Sequence, residues 1–235
     1  MNIFFTDKDP EVAARNLCDQ HVIKMILESA QLLCTAHRVL DGIKLENLEI
    51  LRKNKVRKVT RYYLEDACRN DGLYKATHVN HPCSIWVRES SANYYWLYGH
   101  MRYLNSVYLE RFGKTHKVFR EPMCNNNNNL TLAGRLASLP INITSSKEIS
   151  LPPLAMPDKY KEKSVTQSYK NYMIGEKITM GKRPARWTAP HDVPEWYIID
   201  NPHYQIVRAV TTENDKLKHL YTETKECQFT PSKTE

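Results

Sequence analysis

The sequence lacks the cysteine spacings and the long apolar runs that mark disulfide-stapled or membrane-spanning proteins. Its six cysteines form no Cys-x-x-Cys pair, so no disulfide framework is predicted. No signal peptide precedes them, and no stretch is long and apolar enough to cross a bilayer. We therefore expect a protein of the reducing cytoplasm that does not enter a membrane.

Acidic residues are absent between Arg52 and Arg61, a stretch with six basic residues. The chain has 34 lysine and arginine residues against 26 acidic ones, a formal net charge of +8, which favours polyanionic partners such as nucleic acid. Clustered cations can neutralise phosphates, and an indole beside them can stack on a base. The alternative is a solvated charge run in a surface loop. Nucleic-acid contacts are predicted at Arg52, Lys53, Lys55, Arg57, Lys58, Arg61, Lys182, Arg183, Arg186 and Trp187.

Internal repeats are also absent, and the clearest patterns along the chain are helical. One helical region opens at Asp9-Pro10 and closes at Asp41-Gly42, and another runs from His81-Pro82 to Phe112-Gly113. Residues 43–75 show no clean periodicity, and we expect short helices there. We predict an all-α fold: a compact single domain over residues 1–221 with two long central helices, a long irregular segment at 113–160, and a disordered tail at 222–235.

A polar stripe runs along the first helical region. Starting at His21, steps of three and four residues reach Lys24, Glu28, Gln31, Thr35 and Arg38, which places them on one helix face. The other faces are apolar, as is typical of a buried helix, so we expect the stripe to face an enclosed recess where pKa values are shifted. The alternative is a solvated face on which Lys24 and Glu28 form an ordinary surface pair.

A second mixed stripe lies in the second long helix. Asn93, Trp96 and His100 are three and four residues apart, so they share a face. An amide, an indole and an imidazole together suit a planar heteroaromatic ring such as a nucleobase. The alternative is a hydrogen-bonded core.

Three metal donors lie close together before the second long helix. The spacing of His78, His81 and Cys83 matches no familiar zinc arrangement, and Pro82 stiffens the loop between them. We therefore expect neither a metal nor another cofactor, and we interpret His81 as a helix start or a substrate contact. Substrate contacts are predicted at Gln31, Arg38, His81, Arg88, Asn93, Trp96 and His100.

Two segments resemble a known family. The run Leu17-Cys18-Asp19-Gln20-His21, with Glu28 seven residues after the histidine, resembles the opening helix of the phage-type pyrimidine-dimer DNA glycosylase/AP lyase family, which reads Leu-Ala-Asp-Gln-His before a catalytic glutamate. The segment Arg183-Pro184-Ala185-Arg186-Trp187 resembles the Arg-Pro-x-Trp-Tyr close of that family. The resemblance implies an all-helical enzyme that flips one nucleotide out of double-stranded DNA, with Glu28 as the carboxylate and His21 as the active-site histidine. The whole chain also resembles a set of phage-encoded proteins, which implies an infected host cell.

The nucleophile differs from the pattern of that family, where it is the free α-amine of a threonine, whereas Asn2 follows Met1 here. Lys24 lies one turn from Glu28. A desolvated carboxylate can stabilise positive charge on the sugar while a lysine amine captures C1′. We therefore predict Glu28, His21 and Lys24 as the catalytic residues, with a terminal amine or water as the alternative nucleophile.

We interpret the chain as a monomeric base-excision DNA glycosylase that acts on double-stranded DNA at pyrimidine lesions, with AP lyase as an optional second activity. One alternative is an enzyme that modifies nucleotides or DNA bases in the same pocket. The other is a basic DNA-binding protein without catalysis, in which the stripe is structural.

Overall fold

The computed structural model describes residues 1–122, 130–177, 185–191 and 193–199. The chain divides into two compact units, Met1–Asp192 and Val193–Glu235. In the first unit the described helices are α1 (Pro10–Arg15), α2 (Asp19–Asp41), α3 (Ala67–Gly72), α4 (Pro82–Glu89), α5 (Ser91–Phe112), α6 (Lys117–Arg120), α7 (Leu132–Arg135) and α8 (Val165–Tyr172), with a 3-10 helix at Asp158–Tyr160 and a π-helical turn at Met173–Lys177. In the second unit the described part contains α9 (Glu195–Ile199).

Two antiparallel strands, β1 (Ile43–Arg52) and β2 (Lys55–Tyr63), lie between α2 and α3. The all-α prediction is therefore wrong, because residues 43–63 form a hairpin where we expected short helices, and the fold is mixed α/β. The turn residues Lys53 and Asn54 have φ of 49° and 58°. Positive φ at both central residues is the type I′ geometry that matches the twist of paired strands.

A bulge in β1 explains why the hairpin is hard to recognise from the sequence. Leu45 pairs with Arg61 and Leu48 with Val59, so two residues of β1 stand opposite the single residue Thr60. Asn47, inside the bulge, has a φ of 54°, a left-handed conformation that asparagine tolerates well. Because of the bulge, leucines three residues apart share one strand face, although their spacing is typical of a helix.

The long helices α2 and α5 pack against each other at the centre of the first unit, with α1 on α5 and α4 on α2. Local signals define their ends. The Asp9 carboxylate accepts hydrogen bonds from the first turn of α1, and Gly113 ends α5 at a φ of 63°, where glycine is favoured. Within the described residues, no helix combines the length and the apolar character that a bilayer crossing requires.

The first five residues include a buried segment of the core, in which Phe4 has a φ of 45°. Ile3, Phe4 and Phe5 are buried. The Asn2 side chain donates to the carbonyl of Ala155 at 3.0 Å and accepts from the Ile3 amide at 2.8 Å. The Phe4 ring meets the His21 ring edge-on, with centroids 5.1 Å apart. The start of the chain is therefore held beside α2.

Candidate functional site

The polar stripe of α2 passes from solvent into the core. The Lys24 side chain is 67% exposed and that of Glu28 only 16%, while Thr35 and Arg38 are buried. The solvated face that was the alternative interpretation therefore describes the Lys24 end of the stripe, and the enclosed face describes the Arg38 end. Its middle, at Glu28, is where a charged group is sheltered and still reachable from solvent.

Glu28 lies among groups of opposite charge. Its Oε1 is 3.4 Å from the Nζ of Lys24. His81 is within electrostatic reach of Glu28. Burial lowers the pKa of His81, and the positive charges at Met1 and His78 lower it further, whereas the Glu28 carboxylate raises it. Glu28, Lys24, His81 and the start of the chain are therefore within electrostatic reach of one another.

His81 is fixed as the N-cap of α4. Its Nδ1 accepts a hydrogen bond from the Cys83 amide at 3.2 Å, and Pro82 occupies the first helical position. Since its pKa is lowered, the ring is neutral at pH 7. A neutral imidazole whose Nδ1 is an acceptor carries its proton on Nε2. His81 is therefore an oriented N–H donor.

His21 is oriented by a thiol. Its Nδ1 lies 3.0 Å from Cys18 Sγ. Burial raises the pKa of Cys18, so the thiol keeps its proton at neutral pH. The thiol and the Phe4 ring together hold the imidazole in one orientation at the start of α2.

Arg38, Thr35 and Arg88 position the segment that carries His81. The Arg38 guanidinium donates to the carbonyls of Tyr62, Asn70, Leu73 and Tyr74 and to Asn70 Oδ1, at 2.6–3.0 Å. Thr35 Oγ1 accepts a hydrogen bond from the Thr77 amide at 3.1 Å and lies 3.2 Å from the Thr77 carbonyl oxygen.

Arg88 donates to the Val79 carbonyl at 2.7 Å, and Gln31 is half-buried with its carbonyl bonded to Thr35 Oγ1 at 2.7 Å. Arg38 and Arg88, predicted as substrate contacts, thus use their donors to hold residues 62–79 against α2 and α4.

The predicted stripe on α5 lies in the core. Asn93 and His100 have no exposed surface, and Trp96 is 7% exposed. Asn93 Nδ2 donates to Trp86 O at 2.9 Å and to Ser150 Oγ at 2.8 Å. The indole of Trp96 donates to Lys8 O at 2.7 Å and stacks on the His100 ring, whose Nδ1 is 3.1 Å from Pro10 O. The structure therefore places this stripe in the hydrogen-bonded core that was its alternative interpretation.

The first basic cluster lies on the hairpin, which is exposed on both faces. Its strands of ten and nine residues extend about 30 Å at roughly 3.3 Å per residue. The alternation of β2 places Lys55, Arg57 and Arg61 on one face and Lys58 on the other, opposite Glu49. The turn residue Lys53 is exposed, and the side chain of Arg52 lies outside the described residues.

The second basic cluster is only partly described, because Lys182 and Arg183 lie outside the described residues. Arg186 is exposed, and its carbonyl accepts from the Asp19 amide at 2.9 Å. Trp187 is 8% exposed and donates from Nε1 to Asn16 O at 3.2 Å. An indole buried in this way is not a stacking platform, and the segment instead secures the start of α2.

One charged cleft was missed by the sequence analysis. It lies at the base of the hairpin, where Tyr62, Tyr63, Asp71 and Lys75 meet Arg61 and Arg38. The paired tyrosines at the end of the basic run were a signal for it, whereas nothing in the sequence marked Asp71 or Lys75. In the described part of the chain, His, Cys, Asp and Glu side chains form no group of three that could hold a metal ion.

Comparison of the chain with models of protein families, with curated proteins and with solved structures found no match. The case for function therefore depends on the geometry and chemistry of the sites themselves.

Proposed function

We propose that the protein is a base-excision DNA glycosylase in which Glu28 is the reacting carboxylate. The observation that carries the proposal is the position of Glu28: 16% exposed, beside an ammonium group, and within electrostatic reach of the neutral, oriented imidazole of His81. The resemblance of residues 17–28 to the opening helix of a glycosylase family points in the same direction.

These groups fit the chemistry of N-glycosidic cleavage. The C1′–N bond breaks and its electron pair leaves with the base, while positive charge develops on the sugar. A sheltered carboxylate stabilises that charge, and the Nε2–H of His81 is a donor for the departing base. In the hydrolytic form, a water oxygen bonds to C1′ and its proton passes to the Glu28 carboxylate.

The lyase step requires an amine in place of water. Lys24 Nζ is 3.4 Å from the Glu28 carboxylate, which can accept the proton that the ammonium group must lose before it attacks. Borohydride trapping of a protein–DNA adduct distinguishes the cases: loss of the adduct in Lys24→Ala assigns the nucleophile to Lys24, and its persistence assigns it to another amine.

The hairpin supplies the contact with DNA. A two-stranded ribbon is narrow enough to enter the major groove of B-DNA, and this one is solvated on both faces with its described cations unburied. Those cations would neutralise backbone phosphates and make binding depend steeply on salt.

Base release from duplex DNA tests the proposal directly. Ultraviolet-irradiated, uracil-containing and undamaged duplexes are incubated with wild-type protein, with Glu28→Gln, and with Glu89→Gln, an exposed carboxylate on α4 that serves as a matched control. We expect Glu28→Gln to lose about a hundredfold or more in rate while it still binds duplex, and Glu89→Gln to match the wild type.

The other outcomes contradict the proposal. Turnover of free nucleotides without release of bases from any duplex would favour the nucleotide-modifying alternative. Salt-dependent duplex binding with no base release, unchanged by Glu28→Gln, would favour the non-catalytic DNA-binding protein.

A further inference from the structure

A cleft of about 230 Å³ opens at the base of the hairpin, away from Glu28. The end of β2, the end of α3 and the residues that follow α3 form its walls. Arg38, in the wall of this cleft, is ten residues after Glu28 on α2, a distance of about 15 Å at 1.5 Å per residue. The cleft is therefore separate from the proposed reaction centre.

The wall at Arg38 is rigid. All five hydrogen bonds of the guanidinium go to residues 62–74 of the chain, so the group cannot turn to follow a ligand. Its positive charge nevertheless remains beside the cleft. A site whose shape is set before binding loses less conformational entropy when a ligand enters.

Other charged groups on the cleft keep free binding capacity. Within the described residues, the side chains of Arg61 and Lys75, which both line the cleft, make no hydrogen bond or ion pair. The Asp71 carboxylate accepts one bond, from Asn70 Nδ2 at 3.3 Å, and can accept others. Three cations face one anion, so the cleft favours an anionic ligand.

Tyr62 and Tyr63 add aromatic surface to this charge. They are neighbours at the end of β2, so their side chains leave the strand on opposite sides, and Tyr63, which is 41% exposed, lies on the same side as Arg61. A cation and an exposed aromatic ring on one side suit a ligand that combines a phosphate with a planar base.

We propose that this cleft binds a single unpaired nucleotide, with its base against Tyr63, an exocyclic amino group on Asp71, and its phosphate on Arg61 and Lys75. The volume lies just under the range of about 300–1,000 Å³ of sites for drug-sized ligands, which suits one nucleotide and excludes a longer segment. The ligand is either a free nucleoside monophosphate or a nucleotide displaced from a strand.

Calorimetric titration of the Glu28→Gln protein tests the proposal without turnover, using AMP, CMP, TMP and inorganic phosphate at low salt. We expect AMP and CMP, which carry exocyclic amino groups, to bind more tightly than TMP, and Asp71→Asn to remove that preference. The double variant Arg61→Ala/Lys75→Ala should weaken AMP binding at least tenfold. The control Lys114→Ala/Lys117→Ala, which removes the same charge from an exposed site elsewhere, should stay within twofold of the parent.

Competition with DNA separates the two sources of nucleotide. One duplex contains a single unpaired adenine and the other is fully paired. If the first displaces AMP better, the cleft binds a nucleotide displaced from a strand. If the two displace AMP equally, the cleft binds the free nucleotide. Equal weakening in both double variants, phosphate binding as tight as AMP binding, or no saturable AMP binding would each overturn the proposal. These results are independent of base release, so the cleft and the glycosylase proposal can fail separately.

Discussion

The two long helices each carry a polar stripe of similar spacing, and the stripes have different surroundings. On α5, Asn93 and His100 are fully buried, and their described partners include groups of distant segments, Ser150 Oγ for Asn93 and the Pro10 carbonyl for His100. On α2, Arg38 is equally buried, yet ten residues earlier Glu28 reaches partial exposure and Lys24 opens to solvent. Helical periodicity therefore predicts which residues share a face, whereas what covers that face depends on segments far away in the chain.

Removal of the Arg38 side chain should have the largest effect on stability. It tests whether the inner end of the α2 stripe is structural. Arg38→Met leaves several buried carbonyls without their donor, so we expect the free energy of unfolding to fall by about 4 kcal/mol. Urea denaturation measures it. A small loss of stability together with a large loss of base release would show that Arg38 belongs to the site.

Acid should destabilise the α5 stripe through His100. Burial lowers the pKa of His100 to about 4, against the weaker opposing effect of the Pro10 carbonyl. The unfolded chain binds this proton below about pH 6.5 while the folded chain does not, so stability is full above pH 6.5 and falls as the pH drops toward 4. The loss is about 3 kcal/mol at pH 4.

The matched variant for this measurement is His100→Gln, which has no such titration. Its unfolding free energy, followed by denaturation at a series of pH values, should fall less between pH 6.5 and 4 than that of the wild type. Parallel curves for the two proteins would mean that His100 is accessible to protons in the folded state, contrary to its burial.

Removal of the Lys24 side chain should have the smallest effect on stability. Its side chain is 67% exposed and paired with Glu28 at 3.4 Å, and such pairs contribute little. We expect Lys24→Met to change the unfolding free energy by less than about 0.5 kcal/mol in the same urea experiment. A loss comparable to that of Arg38→Met would mean that the outer end of the stripe is as structural as the inner one.

Helix ends were predictable because their signals are local. Asp9 and Pro10 start α1, and Gly113 ends α5, so each signal lies within a few residues of the structure that it determines. The hairpin was not predictable in the same way. Its turn uses Lys53 and Asn54 in place of the familiar Asn-Gly pair, and the bulge before Leu48 breaks the alternation that marks a strand.

The candidate site was predictable only in part. The face of α2 that carries Glu28 follows from periodicity, but the approach of His81 depends on residues 73–79, which Arg38 and Thr35 hold in place. Those contacts join positions about 40 residues apart. The cleft beside Arg38 depends on the same segment, and for that reason Asp71 and Lys75 carried no signal in the sequence.

Within the described residues the hairpin pairs with no third strand, and a strand edge of this kind presents main-chain amides and carbonyls that another strand could join. Ile43, Leu45, Leu51 and Val56 lie exposed along it, which makes such joining more favourable. The positive charge of β2 opposes its pairing with the same strand of a second molecule. The cations proposed to contact DNA thus also act against edge-to-edge pairing of β2 between two folded chains.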